Sequence, residues 1–166
     1  MPRTRPPKLA TLDVVDEVAR RVPGYKGYQD LVQRREDDRR FRTSVAEYLN
    51  SEAHRLERIE GSQFGDDFTD LLEEVDAGAR KLEYLADSIA MPASPKGSIV
   101  SDRAVDSVSP IDARIIEEVE QLHRVVHELE KAYLHDERFE MNLAELRGIT
   151  ERIADQIEQR NMALAK

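Results

Sequence analysis

The sequence contains no cysteine and no tryptophan, and aromatic residues make up only 5% of it. A chain without cysteine forms neither disulfides nor thiolate sites, and its redox compartment is left undetermined. No apolar run approaches the roughly 20 residues that would span a bilayer. The scarcity of aromatic residues, together with abundant Glu, Arg, Leu and Ala, disfavours β-strands. These absences predict an all-α protein without a transmembrane segment.

The N-terminal stretch MPRTRPPKLA is basic but lacks the apolar region of a signal peptide, which predicts a cytoplasmic protein. Its three prolines and three basic residues offer nothing to bury, so residues 1–10 are expected to form a disordered tail.

The balance of charge argues against a general affinity for nucleic acid. The formal net charge of -9 repels a phosphate backbone, so binding to DNA or RNA is not expected. Charged residues reach 36% and hydrophobic residues 40%, which is typical of long, slender helices with wide solvated faces.

Apolar spacing predicts three helices in residues 11–90. The first is short, is capped by Thr11 or Asp13, and ends at Pro23-Gly24. The second runs from about Tyr28 to Glu60, with Leu31 on its apolar stripe and almost nothing to bury between Gln33 and Arg40. The third occupies residues 66–90 and folds back on the second as an antiparallel hairpin.

Residues 91–110 are rich in Ser, Pro, Ala and Gly and are predicted to form a flexible linker. Ser109-Pro110 is then expected to start a helix. Its apolar residues step by four and three as a heptad seam, at Ile115, Val119, Leu122, Val126, Leu129 and Tyr133. A last helix, capped by Asp136 or Asn142, continues with Phe139, Leu143, Leu146, Ile153 and Ile157, and has Thr150 at a polar seam position.

The predicted fold is therefore an elongated four-helix bundle of two long antiparallel hairpins, residues 11–90 and 111–166, with a short extra helix at the N-terminus. The chain is expected to form one bundle domain overall.

The stretch VPGYKGY raises the question of a phosphate loop. Its glycines match neither the Walker nor the dinucleotide pattern, and the preceding element is helical. We therefore interpret the segment as a structural corner between two helices. Gly24 supplies a positive φ, and aromatic side chains wedge the short helix against the bundle. The corner comprises Pro23, Gly24, Tyr25, Gly27 and Tyr28.

A dense run of arginines follows the corner. Acidic residues among them create i,i+4 pairs of opposite sign, which favours a self-neutralised helix face over a phosphate-binding one. If an anion or an acidic partner binds, this run is the predicted site. It comprises Arg34, Arg35, Arg39, Arg40 and Arg42.

Two enzyme patterns are present in part. Glu120, His123 and His127 have metal-ligand spacing, but a ferritin-like di-iron site needs two such motifs and these residues lie off the apolar seam. Glu73, Glu74, Asp76, Glu83 and Asp87 resemble the magnesium-binding carboxylates of all-α nucleotide pyrophosphohydrolases, yet Ala77 replaces one glutamate and the second spacing is one residue too long. In both cases the departures from the pattern favour ordinary surface residues over a metal site. No cofactor is predicted.

Residues from Pro23 to about Leu49 resemble the opening of small uncharacterised bacterial α-helical proteins, in which G-Y-x-G-Y precedes paired arginines and a long charged helix. That resemblance implies no activity.

The sequence thus predicts a non-enzymatic helical interaction or scaffold protein that binds an unidentified protein through exposed charged helix faces, and it leaves a homo-oligomer open. The alternative is a metal-dependent helical-bundle enzyme, either a ferritin-like di-metal protein or a pyrophosphohydrolase.

Overall fold

The computed structural model describes residues 9–59, 69–93, 102–132 and 137–165. Within those ranges the chain is all-helical, which confirms the predicted all-α class, and five helices pack against one another. They are α1 (Leu9–Ala19), α2 (Arg34–Glu57), α3 (Thr69–Ala90), α4 (Asp102–Lys131) and α5 (Glu137–Ala165). None of these helices has an apolar stretch of the length needed to cross a membrane.

Each long helix lies beside two others. Helix α2 packs on α3 and α4, α5 also packs on α3 and α4, and α1 packs on α4. Arg42 in the first half of α2 donates to the carbonyl of Ala90 at the end of α3, so these helices run antiparallel. Arg160 near the end of α5 pairs with Asp112 in the first half of α4, as expected for a second antiparallel pair. The starts of α2 and α4 and the ends of α3 and α5 therefore meet at one end of the molecule, called here the cluster end.

The interior is built from the predicted apolar seams. Every described residue of the α4 heptad seam is at most 6% exposed, and the α5 seam is equally buried, including Thr150 at 4%. Each fully buried Leu or Ile side chain contributes about 1.5–3 kcal/mol, so burial along these seams is the main favourable contribution that holds the helices together. Tyr133 lies outside the described residues.

Helix α2 begins at Arg34, six residues later than predicted. The preceding residues form turns, in which the amide of Val32 donates to the side chain of Asp30 at 3.0 Å. Three residues before these turns have left-handed backbone, Gly24 at φ 81°, Gly27 at 67° and Tyr28 at 62°. A helix cannot include such residues, so the predicted start at Tyr28 is wrong, and Leu31 is 68% exposed instead of lying on an apolar stripe.

Helix α4 begins at Asp102, so residues 102–110 are helical and the predicted linker is too long. Pro110 lies inside this helix, not at its first turn. Val108 is fully buried and sits seven residues before Ile115, so the apolar spacing continues through the proline. Burial of this turn outweighs the local preference of Ser and Pro for a boundary.

The remaining boundaries differ from prediction by small amounts. Helix α1 begins at Leu9, which places Thr11 and Asp13 inside it, and Asn142 lies inside α5 and does not cap it. The predicted tail up to residue 8, the break around Gly61-Ser62 and the alternative cap Asp136 lie outside the described residues.

The corner packs tightly against α1. A β-carbon added at Gly27 would lie 2.4 Å from Cγ2 of Val15, so this position needs both left-handed backbone and the absence of a side chain. Tyr25 and Tyr28, on either side of Gly27, are 4% and 0% exposed, and their rings meet edge to face with centroids 5.3 Å apart. The glycine thus lets two tyrosines enter the interior within four residues.

We predict that Gly27→Ala lowers the free energy of unfolding by about 2–4 kcal/mol, because it adds both positive-φ strain and a clash with Val15. Gly148→Ala is the matched control, since Gly148 is helical and its added carbon meets only the flexible end of Arg152, at 3.2 Å. That control should be stabilised by up to about 1 kcal/mol. Urea denaturation measures both, and equal effects would contradict the described corner.

Candidate functional site

The most unusual site is a group of charged and phenolic side chains buried at the cluster end. It is called here the Arg160 cluster and comprises Arg160, Asp112, Asp38, Tyr28 and Tyr25. The exposed fractions of these residues run from 0% to 5%. They come from α5, α4, α2 and the corner, so the cluster joins most of the fold at one point.

Arg160 is the centre of the cluster. Its Nε donates to Oδ1 of Asp112 at 2.7 Å, and its Nη2 donates to Oδ1 of Asp38, also at 2.7 Å. Nη2 also donates to the hydroxyl of Tyr28 at 3.1 Å. The guanidinium carbon lies 4.8 Å from the ring centroid of Phe41, within the range of a cation–π contact. One side chain of α5 is therefore bonded to α2, α4 and the corner at once.

The two tyrosines complete the shell of Asp112. Tyr28 donates a short hydrogen bond to Oδ2 of Asp112, and the hydroxyl of Tyr25 lies 3.4 Å from the same oxygen. Oδ1 of Asp112 is bound to Arg160, so both carboxylate oxygens have donors. This satisfaction is what allows a carboxylate to be 0% exposed.

Burial dominates the acid–base properties of the cluster. It raises the pKa of Asp112 above its ordinary value, although the charge of Arg160 and the hydrogen bonds from Arg160 and Tyr28 act in the opposite direction. Burial, followed by the charge of Asp112, raises the pKa of Tyr28 well above its ordinary value. The phenols therefore stay protonated as donors at neutral pH, and the carboxylate depends on Arg160 to stay ionised.

Arg34 anchors the corner to the cluster end. It is 6% exposed, and its Nε donates to the carbonyl of Tyr28 at 2.7 Å while its Nη2 pairs with Asp102 at the start of α4. Asp37 accepts the amide of Tyr28 at 3.2 Å. The left-handed backbone at Tyr28 is thus stabilised by hydrogen bonds to both its amide and its carbonyl.

Arg42 also turns inward. Its Nε pairs with Asp38 at 2.8 Å, where both side chains are about one-tenth exposed, and it donates to the carbonyl of Ala90. The expectation that the start of α2, between Gln33 and Arg40, has almost nothing to bury is therefore wrong. Arg34, Asp37 and Asp38 are all buried there, in contacts within the chain.

Three of the five predicted partner-binding arginines remain outward. Arg39 is bonded to the carboxylate of Glu36 by Nε at 3.1 Å and by Nη2 at 2.8 Å, and its side chain is 67% exposed. Arg40 donates to the carbonyl of Gly24 at 3.1 Å and is partly exposed. Arg35 is exposed and forms no ion pair with any residue in the described ranges. The exposed basic surface is thus narrower than the sequence predicts, because Arg34 and Arg42 are structural.

The three residues predicted as candidate metal ligands do not converge on one point. Glu120 pairs with Arg21 at 3.0 Å, Nδ1 of His123 lies 2.6 Å from Glu52, and Nδ1 of His127 lies 4.0 Å from Glu130. Across the described part of the chain, no group of three His, Asp or Glu side chains is arranged to hold a metal ion.

The acidic residues of α3 form no convergent site either. Glu73, Glu74, Asp76 and Asp87 are exposed and Glu83 is partly so, which fits an acidic solvent face. Glu74 pairs across to Arg147 of α5 at 2.9 Å. The resemblance to pyrophosphohydrolase carboxylates therefore gains no support from their placement.

The chemistry open to the Arg160 cluster is limited by its enclosure. Arg160, Asp112 and Tyr28 are at most 1% exposed, so a substrate could touch them only if the helices separated. Their polar atoms are engaged chiefly with one another. The cluster therefore acts as a structural junction.

Sequence reasoning missed this cluster, although a signal was present. Arg160 follows Ile153 and Ile157 at the next seam step of three, Asp112 precedes Ile115 by three, and Asp38 precedes Phe41 by three. One positive charge and two negative charges thus extend three apolar seams, each by one step. Charged residues in seam positions indicate buried ion pairs.

Comparison with models of protein families, with characterised proteins and with solved structures finds no match to this chain. The resemblance of residues 23–49 to small bacterial helical proteins stays a prediction.

We predict that Arg160→Met lowers the free energy of unfolding by about 3–5 kcal/mol at neutral pH, because the buried carboxyl group of Asp112 loses its cation and must either carry an unpaired charge or take up a proton. The loss of the cation raises the pKa of Asp112 further in the folded state. The folded variant then takes up a proton more readily than its unfolded chain, so its deficit should shrink as pH falls through that raised pKa. Urea denaturation from pH 7.5 to 4.5 measures it.

The matched control is Arg160→Met combined with Asp112→Asn, which removes the titrating group. In this double variant, the difference in free energy of unfolding from wild type should not become smaller as the pH falls. An Arg160→Met deficit that is constant across pH would contradict a buried, Arg160-dependent carboxylate.

Proposed function

We propose that the protein is a non-enzymatic helical interaction protein, located in the cytoplasm, that binds another protein through exposed charged helix faces. In this proposal the four long helices form an elongated four-helix bundle that serves as a rigid scaffold, with coiled-coil-like packing along its seams. The partner is a protein with an acidic surface, and the outer side of α2 is the binding face.

The observation that carries the proposal is the division of the α2 arginines. Arg34 and Arg42 are used inside the fold, where they hold the corner and the end of α3. Arg35 and Arg39 point outward, and they lie four residues apart on one side of the helix. The two inward arginines stabilise the fold, which accounts for their place in the basic run. The two outward arginines have no comparable structural role.

The turn before α2 extends the same surface with apolar side chains. Val32 is 91% exposed and Leu31 is 68% exposed, and the bond from the Val32 amide to Asp30 holds the turn. Arg35 follows Val32 by three residues in the sequence, and both are exposed, so the basic residues of α2 come directly after an exposed apolar turn. A surface of this kind suits a partner that offers an apolar contact beside carboxylates.

The alternative of a metal-dependent enzyme has no comparable support. The residues that would provide metal ligands are engaged with separate partners in the described ranges, as Glu120 is with Arg21 and His123 is with Glu52. Two of the buried acids, Asp38 and Asp112, are closed off from solvent in the Arg160 cluster.

We predict that Arg35→Glu combined with Arg39→Glu leaves the melting temperature nearly unchanged, because exposed ion pairs contribute well under about 1 kcal/mol each. The double variant should nevertheless lose an acidic protein partner. Immobilised wild type and variant are exposed to extract of the source organism, and retained proteins are quantified by mass spectrometry. A partner of this face should be depleted about tenfold on the variant, and its retention on wild type should fall with salt.

The matched control reverses two exposed arginines elsewhere, Arg80→Glu on α3 and Arg124→Glu on α4, and so changes net charge equally. It should retain the partner at the wild-type level. If no acidic protein separates the α2 variant from this control, or if the α2 variant unfolds many degrees earlier, the proposed binding face is wrong.

A further inference from the structure

A recess of about 320 Å³ lies between α3 and α5, on helices other than the one that carries the proposed partner face. Leu143 and Leu146 of α5 line it, and Ala77 and Gly78 of α3 leave it open because their side chains are short or absent. Its lining also includes Thr150 and four charged residues, which are Glu74, Lys81, Arg147 and Glu151.

Gly78 makes the two helices approach closely at this point. A β-carbon added there would lie 2.9 Å from Cδ2 of Leu146, so no larger residue fits without displacement. Ala77, one position earlier, is exposed and too short to cover the recess. The surface here is therefore a shallow apolar trough bordered by charges.

The charges at the recess are unevenly paired. Glu74 and Arg147 form an ion pair across it at 2.9 Å. Lys81 on α3 and Glu151 on α5 are both exposed, and neither forms an ion pair with another residue in the part of the chain that the structure describes. Two opposite charges thus line one recess and remain open to an external partner.

An exposed aromatic residue extends this surface along α3. Tyr84 is 65% exposed, and Nζ of Lys81 lies 5.6 Å from its ring centroid. Tyr84 follows Ala77 by seven residues, which places both on the same side of the helix. Large exposed aromatic side chains beside an apolar trough are typical of protein–protein contacts.

From this arrangement we propose that the α3–α5 face binds a second copy of the same chain. A two-fold axis that runs along the trough, parallel to the helices, places α3 of each copy over α5 of the other. Such an axis preserves the level of each residue along the helices, so groups that lie at one level within a copy meet across the interface.

The charges satisfy this symmetry. Lys81 and Glu151 are the lining residues of α3 and α5 that lie nearest the cluster end, so the proposed axis brings Lys81 of one copy to Glu151 of the other, and the pair occurs twice. Glu74 likewise lies over Arg147 of the other copy. Every charge of the recess therefore meets its opposite, which is the complementarity that an isologous interface requires.

The size of the face agrees with a weak dimer. Helix α3 has 22 residues, which correspond to roughly 30 Å at 1.5 Å per residue. With two helices of about 10 Å side by side, the face offers several hundred Å² per copy, near the lower limit for specific association. We therefore expect a dissociation constant on the order of micromolar or weaker.

This inference is independent of the proposed function, because it uses α3 and α5, whereas the acidic partner is assigned to α2. Loss of one binding activity would leave the other intact.

The test is sedimentation of the full-length purified protein from about 1 μM to about 1 mM, a range that covers such affinities. Wild type should pass from monomer to dimer. Lys81→Glu and Glu151→Lys should each weaken the dimer by about tenfold, since each replaces two attractions with two repulsions.

The decisive measurement is the equimolar mixture of Lys81→Glu with Glu151→Lys. In the mixed dimer both symmetry-related contacts again join opposite charges, so its affinity should return to within about threefold of wild type. Arg124→Glu on α4 is the matched control for charge reversal away from this face and should dimerise as wild type. Circular dichroism melts check that all variants are folded.

A wild type that stays monomeric throughout the range would overturn the inference. A dimer insensitive to both charge reversals would also overturn it, since association would then use another face, and so would a mixture that remains as weak as its components.

Discussion

The structure depends on a single cation held away from water. Arg160 is 1% exposed and bonds to Asp112 and Asp38, which come from two other helices. Removing an ion pair of this kind from water is expensive, and the attraction between its members does little more than offset that cost. Its energetic importance lies in the penalty for any arrangement that separates the partners, because Arg160 and Asp112 would then be buried charges without a counter-ion.

That penalty gives the Arg160 cluster a role that apolar packing cannot fill. The seams of α4 and α5 are long rows of Ile, Leu and Val, and such rows tolerate a shift of one turn with modest loss of contact. A shift of about 5 Å would separate Arg160 from Asp112, whose Nε–Oδ1 distance is 2.7 Å. We infer that the cluster fixes the register of α5 on α4 and, through the bond to Asp38, the position of α5 relative to α2. The hydroxyls of Tyr25 and Tyr28 add the condition that the corner must be in place.

Local patterns predicted the seams well because burial of a periodic apolar face supplies most of the free energy that stabilises such helices. The heptad of Ile115 to Leu129 is buried throughout. The pattern failed where tertiary contacts decide: Pro110 lies inside α4 because Val108 is buried beside it, and α2 starts late because Arg34 and Asp37 stabilise left-handed backbone at Tyr28. The Arg160 cluster depends on residues more than 40 positions apart, and no i,i+4 rule within one helix connects them.

The arginine run of α2 shows why sequence alone could not divide structural from surface charge. Asp38 is one member of an i,i+4 pair with Arg42, a spacing typical of solvated surface pairs, yet Asp38 also binds Arg160 and is 5% exposed. Arg39 pairs with Glu36 on the same helix and its side chain is 67% exposed. The two pairs have similar sequence spacing and opposite environments, because Asp38 extends the apolar seam that begins at Phe41 and Glu36 does not. The position of a charge relative to the apolar seam, more than its pairing along the helix, therefore determines whether it builds the fold or remains at the surface for a partner.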